Sequence, residues 1–132
     1  MKKELRERVF NKCNGHCAYC GKEITYKEMQ VDHIEPKWHT FTEQEADRHK
    51  IIKGSDDFEN LNPSCPRCNK WKSTYSMEHF RNVVQTSLVR LERDTPNYRL
   101  AKDYGLIVEN NSPIIFYFEK NVVDLSYEKR NN

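Results

Sequence analysis

The stretch Val31-Asp32-His33-Ile34-Glu35-Pro36 decides the fold of this chain. It places a carboxylate directly before an imidazole at the end of a short apolar run, and Pro36 prevents a helix from continuing through it. The short runs 24–26 and 29–31 precede it and are typical of a hairpin. We therefore expect a hairpin that delivers Asp32 and His33 side by side at its exit.

Two Cys-x-x-Cys pairs flank this stretch, and each lies in turn-forming sequence. They are Cys17/Cys20 and Cys65/Cys68, with 44 residues between the pairs. Structural zinc takes four soft ligands, which are close within a pair and can be far apart between pairs. The alternative is two unrelated thiol pairs or a redox motif, but two pairs together favour Zn²⁺. Such a site is worth about 10–16 kcal/mol, so we expect metal-free protein to be largely unfolded over residues 13–70.

The composition agrees with a small domain that needs a metal. The chain has 132 residues, of which 36% are hydrophobic and 32% charged, so its core is thin for its length. We interpret the fifth cysteine, Cys13, as a small buried residue rather than a spare zinc ligand. No signal-peptide core opens the sequence and no run approaches the roughly 20 apolar residues of a membrane span. We expect a soluble cytoplasmic protein with no membrane partner.

The charge is uneven although the formal net charge is only +2. Acidic residues concentrate in 43–59, whereas residues 60–93 are basic. The basic side chains there are Arg67, Lys70, Lys72, Arg81, Arg90 and Arg93. A charge run alone is often a solvated helix face, so a nucleic-acid surface would have to come from this local charge.

Three short motifs follow one another within the cysteine brackets. They are Asp32-His33, Asn60-Leu61 and Cys68-Asn69-x-x-Lys72, with eight residues between the two asparagines. Over about residues 10–80 this arrangement resembles the HNH nuclease family, in the zinc-bracketed branch. The third position is Asn69 instead of a second histidine, an HNN variant that some branches also use. The resemblance implies an α+β fold with a ββα-metal core, in which two strands and a helix surround one divalent ion.

The residues of these motifs suit phosphodiester hydrolysis. An imidazole can take a proton from water near neutral pH, which makes His33 the candidate general base. Asp32 and the amide oxygen of Asn69 are hard ligands for Mg²⁺ or Mn²⁺, which keep open positions for phosphate. The resemblance implies that Asn60 orients His33 or holds the loop that carries it. Each residue alone would be ordinary: a surface pair, a turn residue and a helix-end amide.

Further residues are candidates for contacts with the nucleic-acid backbone. Lys72 lies three residues after Asn69, on the same helix face, where its ammonium would adjoin the phosphate. Lys70, Arg67 and Lys37 are the other candidates. We interpret Trp71 as a core ring packed on Leu61 or Phe80, with stacking on a base as the alternative.

We divide the chain into a nuclease domain, residues 1–94, and an appendage, residues 95–132. The first contains the zinc-bracketed core at about 13–80, a helical insertion at about 42–53 closed by Gly54, and a long helix at 76–93. The appendage would be a short helix and a small β-hairpin, with strands at 106–108 and 114–118. Val122 and Val123 are candidates for a third strand, and His39 is the remaining histidine to look for near the metal.

These observations predict a zinc-stabilised, metal-dependent DNA endonuclease of HNH type. One active site cuts one strand, so a monomer would nick, and double-strand cleavage would need a homodimer or two encounters. Compact free-standing proteins like this one resemble those of phages and mobile elements. Two alternatives stay open: a non-catalytic zinc module that binds nucleic acid or a protein, and an RNase.

Overall fold

The computed structural model describes residues 1–38 and 41–120, which form two compact units. The first unit contains residues 1–77 and resumes at 115, and the second contains residues 78–114. The boundaries of these units differ from the predicted domain boundary after residue 94. The division into a nuclease domain and an appendage stays a prediction. His39, Val122 and Val123 lie outside the described residues.

The first unit contains a ββα core. Its elements are α1 (Lys3–Lys12), β1 (Gln30–His33), α2 (Glu43–Arg48), a 3-10 helix (Phe58–Asn60), β2 (Leu61–Ser64) and α3 (Pro66–Lys72). β1 pairs with β2 in an antiparallel sheet that places Asp32 opposite Asn62 and His33 opposite Leu61. The predicted α+β class and ββα core are therefore confirmed.

The strand partner of β1 differs from the predicted one. Residues 25–28 form a turn, in which Thr25 N donates to Glu28 Oε1 at 3.0 Å and Glu28 N donates to Thr25 Oγ1 at 3.2 Å. The hairpin of 24–26 with 29–31 is wrong because these side chains close a turn instead of a ladder. The real partner, Leu61–Ser64, carries Asn and Pro, which look like turn residues, yet all four positions are buried.

The core of the first unit lies where α1 covers β2. Its most buried apolar residues are Val9, Cys13, Ala18, Met29 and Leu61. Lys12 crosses this contact: its Nζ donates to the carbonyl oxygens of Leu61, at 2.6 Å, and Phe58, at 3.2 Å. α1 thereby helps to hold β2 in place beside β1.

The insertion between the two halves of the core has a shorter helix than predicted. α2 begins with the expected capping box, in which Glu45 N donates to Thr42 Oγ1 and Thr42 N donates to Glu45 Oε2. It ends at Arg48 instead of about residue 53, and Lys50 adopts a φ of 57°. Gly54 is therefore not the helix end.

The second unit is helical. Its helices are α4 (Met77–Gln85, which starts at the last residue of the first unit), α5 (Ser87–Asp94) and α6 (Pro96–Asp103). The single helix predicted over 76–93 is broken at Thr86, whose Oγ1 donates to Asn82 O at 2.7 Å; Ser87 Oγ donates likewise to Val83 O. Such back-bonding hydroxyls bend helices. Within residues 1–38 and 41–120, no helix has the length and apolar character needed to cross a membrane.

The predicted C-terminal β-hairpin is absent from the described part of the appendage, residues 95–120. Side chains of α4 bind the backbone groups that a ladder would have used: Gln85 Oε1 accepts from Ile114 N at 2.8 Å, and Arg81 donates to Ile114 O at 2.9 Å. Residues 117–120 are helical, and Tyr117 N and Phe118 N donate to the carbonyls of Tyr19 and Ala18. The apolar runs 106–108 and 114–118, rich in β-branched and aromatic residues, predicted strands, but these long-range bonds prevailed.

Candidate active site

The two predicted cysteine pairs meet in one cluster. The sulfur atoms of Cys17, Cys20, Cys65 and Cys68 all lie within 4.8 Å of one another, and those of Cys20 and Cys65 are 4.0 Å apart. Four sulfurs around a tetrahedral Zn²⁺, each at about 2.3 Å, would be about 3.8 Å apart. The donor set and its spacing therefore fit structural zinc.

Local backbone geometry forms each half of this cluster. In the first half the chain reverses at Gly21, which has a φ of 81° and donates its N–H to Cys17 O at 3.0 Å. In the second half Cys65 is the N-cap of α3, and its sulfur accepts from Cys68 N at 3.3 Å. Pro66 at the first helical position suits this start because its missing N–H needs no partner there.

The cysteines differ in the direction of their pKa shifts: burial raises the pKa of Cys20 and the hydrogen bond to Cys17 raises that of Cys68, whereas the pKa of Cys17 is lowered. A hydrogen bond from Cys68 and the backbone amides of Cys65, Cys20 and Tyr19 lower the pKa of Cys17 to about 4. Burial instead raises the pKa of Cys13 to about 11, and that residue is 1% exposed and outside the cluster. This agrees with the interpretation of Cys13 as a small buried residue.

Asp32 lies in a buried polar cluster at the end of β1. It is 4% exposed. Its Oδ2 accepts a hydrogen bond from the Tyr19 hydroxyl and forms an ion pair with Lys72 Nζ at 3.1 Å. Burial raises the pKa of Asp32, while Lys72 and Tyr19 oppose that rise. Both contacts involve Oδ2, which leaves Oδ1 available to a metal ion.

Lys72 does not lie where a contact with nucleic acid requires it. Its side chain is 0% exposed, and its Nζ also donates to His33 O at 3.0 Å and Ile34 O at 3.3 Å. An ammonium has three hydrogens, and these three acceptors use them all. The prediction of a phosphate contact is wrong for this structure because Lys72 points inward and ties α3 to the end of β1.

His33 has a partner that the sequence did not reveal. Its Nε2 lies 2.8 Å from Asp56 Oδ1, and Lys37 Nζ donates to Asp56 Oδ2 at 2.7 Å. Hydrogen bonds from Lys37 first, and from His33 second, lower the pKa of Asp56 to about 2. In the sequence Asp56 is one residue of the acidic segment 43–59, which gives no sign of a partner for His33.

Asn60 holds the loop that carries His33 and makes no hydrogen bond with the imidazole ring. Its Oδ1 accepts from Glu35 N at 2.9 Å, and its Nδ2 donates to Glu35 O at 3.1 Å and Ser55 O at 2.8 Å. Gly54 packs against the same loop, and its N–H donates to Pro36 O at 2.8 Å. The resemblance allowed two roles for Asn60, orienting His33 or holding the loop that carries it, and the geometry favours holding the loop.

One open cavity of about 410 Å³ is lined by the predicted base, His33, and the two predicted metal ligands, Asp32 and Asn69, whereas Asn60 is not among its lining residues. Its lining residues include Asp32, His33, Asn69, Lys37, Trp38 and Ser73. Asp32 offers a carboxylate and Asn69 an amide oxygen, which are hard donors of the kind that Mg²⁺ or Mn²⁺ takes, and the cavity leaves space for water and a phosphate. The donor set therefore fits a hard divalent ion.

The outer face of α3 carries the remaining candidates for contact with nucleic acid. Arg67 and Lys70 are exposed, and Trp71 is 57% exposed. The interpretation of Trp71 as a core ring is wrong, because this face of α3 points away from the core. Cys20 above all raises the pKa of Arg67, so that guanidinium interacts with the cysteine cluster. The contacts predicted for Lys70, Arg67 and Lys37 stay predictions.

A family match covers the segment that carries this geometry. Residues 17–74 match the HNH endonuclease family. The crystal structure of the type II-C Cas9 enzyme from Actinomyces naeslundii is similar at 26% identity and a TM-score of 0.46; the match covers 59% of this chain and 7% of that one. No curated protein matches the chain. The family match, whose limits enclose both cysteine pairs and all three motifs, identifies residues 17–74 of this chain as an HNH endonuclease domain.

Proposed function

We propose that this chain is a metal-dependent endonuclease that hydrolyses DNA phosphodiester bonds, with one strand cut per active site. The observation that carries the proposal is the shared cavity of Asp32, His33 and Asn69. Phosphodiester hydrolysis needs a base for water and positive charge at phosphorus, and this cavity brings the residues for both to one place. A monomer would nick, and a homodimer would cut both strands.

The roles of the side chains follow from their positions. His33 removes the proton from the attacking water, and Asn60 holds the loop that carries it. Asp32 and Asn69 would hold Mg²⁺ or Mn²⁺, which would neutralise charge on the phosphate. Tyr19 and Lys72 both contact Oδ2 and hold the Asp32 carboxylate at the edge of the cavity before any substrate arrives.

The substrate side of the proposal relies on exposed charge and an exposed ring. Arg67 and Lys70 on α3, with Lys37 at the cavity, suit contacts to backbone phosphates, which position a duplex. The exposed indole of Trp71 suits stacking on a base or sugar. Net charge does not carry this argument, because the formal value is only +2.

Nicking of supercoiled plasmid tests the proposed function. Zinc-loaded wild type should nick when Mg²⁺ or Mn²⁺ is added and should be inactive without it. Omitting the ion is preferable to a chelator, since a chelator would also strip the cysteine cluster. His33→Ala should fold, keep its zinc and lose activity by a factor on the order of 10²–10⁴, the usual contribution of a general base.

A matched control is His79→Ala, which removes an exposed histidine of α4. It should nick at the wild-type rate. Equal nicking by wild type and His33→Ala would reject the mechanism. No nicking by any protein, with DNA binding retained, would support the non-catalytic zinc module, and a parallel RNA digestion separates the RNase alternative.

A further inference from the structure

We infer that Asp56 is a positioning residue for His33, which holds the imidazole with its hydrogen on Nε2 and leaves Nδ1 to take the proton from water. The inference rests on the proposed function, because it assigns a partner to the proposed base. It starts from two distances: 2.8 Å from His33 Nε2 to Asp56 Oδ1, and 2.7 Å from Lys37 Nζ to Asp56 Oδ2. Each carboxylate oxygen thus has one partner, and the carboxylate cannot turn without breaking a contact.

The tautomer follows from the chemistry of the two groups. An ionised carboxylate only accepts hydrogen bonds, so the atom opposite it must be a donor. In neutral imidazole one nitrogen donates and the other accepts, so a hydrogen on Nε2 leaves the lone pair on Nδ1. A carboxylate that fixes the tautomer and ring orientation of a catalytic histidine is a general device, and its loss misplaces the base.

The surrounding backbone holds the two partners at this distance. Asn60 bridges Glu35 O and Ser55 O, and Gly54 N donates to Pro36 O. The segment that carries His33 and the segment that carries Asp56 are therefore joined by hydrogen bonds that include neither of these side chains. Asp56 can be altered without loosening this frame.

The position of Asp56 argues against a role in stability. Its side chain is 59% exposed and, among the described residues, forms hydrogen bonds only with His33 and Lys37. Exposed pairs of this kind contribute little to folding. The neighbouring Asp57 serves the loop itself, since its Oδ2 accepts from Ser55 Oγ at 2.9 Å. The two adjacent carboxylates therefore provide a test residue and a matched control.

The experiment compares Asp56→Ala, Asp56→Glu and Asp57→Ala with wild type, all zinc-loaded. Two-dimensional ¹H–¹⁵N spectra of the imidazole, recorded without Mg²⁺, report which nitrogen of His33 carries the hydrogen. Wild type and Asp57→Ala should show the hydrogen on Nε2. Asp56→Ala should show a mixture of both tautomers, and Asp56→Glu should restore the wild-type pattern in part.

Plasmid nicking supplies the second readout. Asp56→Ala should lower kcat on the order of 10- to 100-fold, since it disturbs the base. Any change in KM would come from Lys37, which loses the same carboxylate partner. Asp57→Ala should leave both unchanged. If Asp56→Ala keeps both the wild-type tautomer and the wild-type kcat, the inference is wrong while the nuclease stands. If no protein nicks, the proposed function fails, and the spectra alone still decide whether Asp56 holds the ring.

Discussion

Lys72 lies in a buried polar cluster with Asp32 and Tyr19, and its charge has one compensating partner. Replacing it by Met would leave the Asp32 carboxylate buried and unpaired. Removing one partner of a buried pair costs about 3–5 kcal/mol. We expect Lys72→Met to lower the free energy of unfolding by that amount, measured by urea denaturation of zinc-loaded protein.

Lys70→Met is the matched control, because Lys70 is exposed two residues away on the same helix. It should change stability by no more than about 0.5 kcal/mol. The double variant Asp32→Asn/Lys72→Met should recover part of the loss, since it removes both charges. Wild-type stability of Lys72→Met would show that the ion pair contributes nothing.

The residue scale also shows which roles a sequence can reveal. That Asp32, His33 and Asn69 share a site could be predicted from their order and spacing, and all three line one cavity; their roles stay predictions. Asp56 and the inward turn of Lys72 could not. A hydrogen bond across 23 residues depends on how two loops meet, and the direction of a lysine depends on the burial of its helix face.

At the scale of elements, the loop 34–36 is held to the segment 54–60 by close backbone packing at Gly54. A Cβ built on Gly54 would lie 1.7 Å from Glu35 O and 2.8 Å from Asn60 Nδ2. The clash with backbone cannot be relieved by turning a side chain. Gly54→Ala should therefore push residues 34–36 away, destabilise the protein by at least about 1–3 kcal/mol and reduce nicking.

Gly105→Ala provides the comparison for this prediction. Gly105 has a φ of 75° and nothing within 4 Å of its added Cβ, so it reports the cost of the backbone conformation alone. We expect a loss of about 1 kcal/mol there with nicking unchanged. Thermal unfolding and plasmid nicking of both variants check this, and equal effects on nicking would remove the special role of Gly54.

The elements themselves were predictable where the signal is local. The insertion helix and the short helix of the appendage were both predicted, and α2 begins at Glu43, one residue from the predicted start. β2 was not predicted, because Leu-Asn-Pro-Ser has the composition of a turn and becomes a strand only through its pairing with β1. The missing hairpin is the opposite case, in which strand composition is outweighed by bonds to Gln85, Arg81 and the first cysteine loop.

At the scale of the whole molecule, the cysteine cluster links two distant parts of the first unit. Cys17 and Cys20 follow α1, whereas Cys65 and Cys68 begin α3, so a bound Zn²⁺ would close a loop that contains β1, α2 and β2. Binding at such sites is worth about 10–16 kcal/mol, as much as the entire stability of a small domain. Folding of this unit should therefore depend on zinc.

Cys65→Ser and Cys13→Ser together test this dependence, because both cysteines are buried but only Cys65 belongs to the cluster. Wild type and Cys13→Ser should each bind one zinc per chain, measured by a colorimetric assay on denatured protein. Cys65→Ser should lose zinc and the dispersed NMR signals of residues 13–70, and a chelator should do the same to wild type. A Cys65→Ser protein with a wild-type melting temperature would show that packing alone holds α1, the sheet and α3 together, and that the thiolates are not needed for the fold.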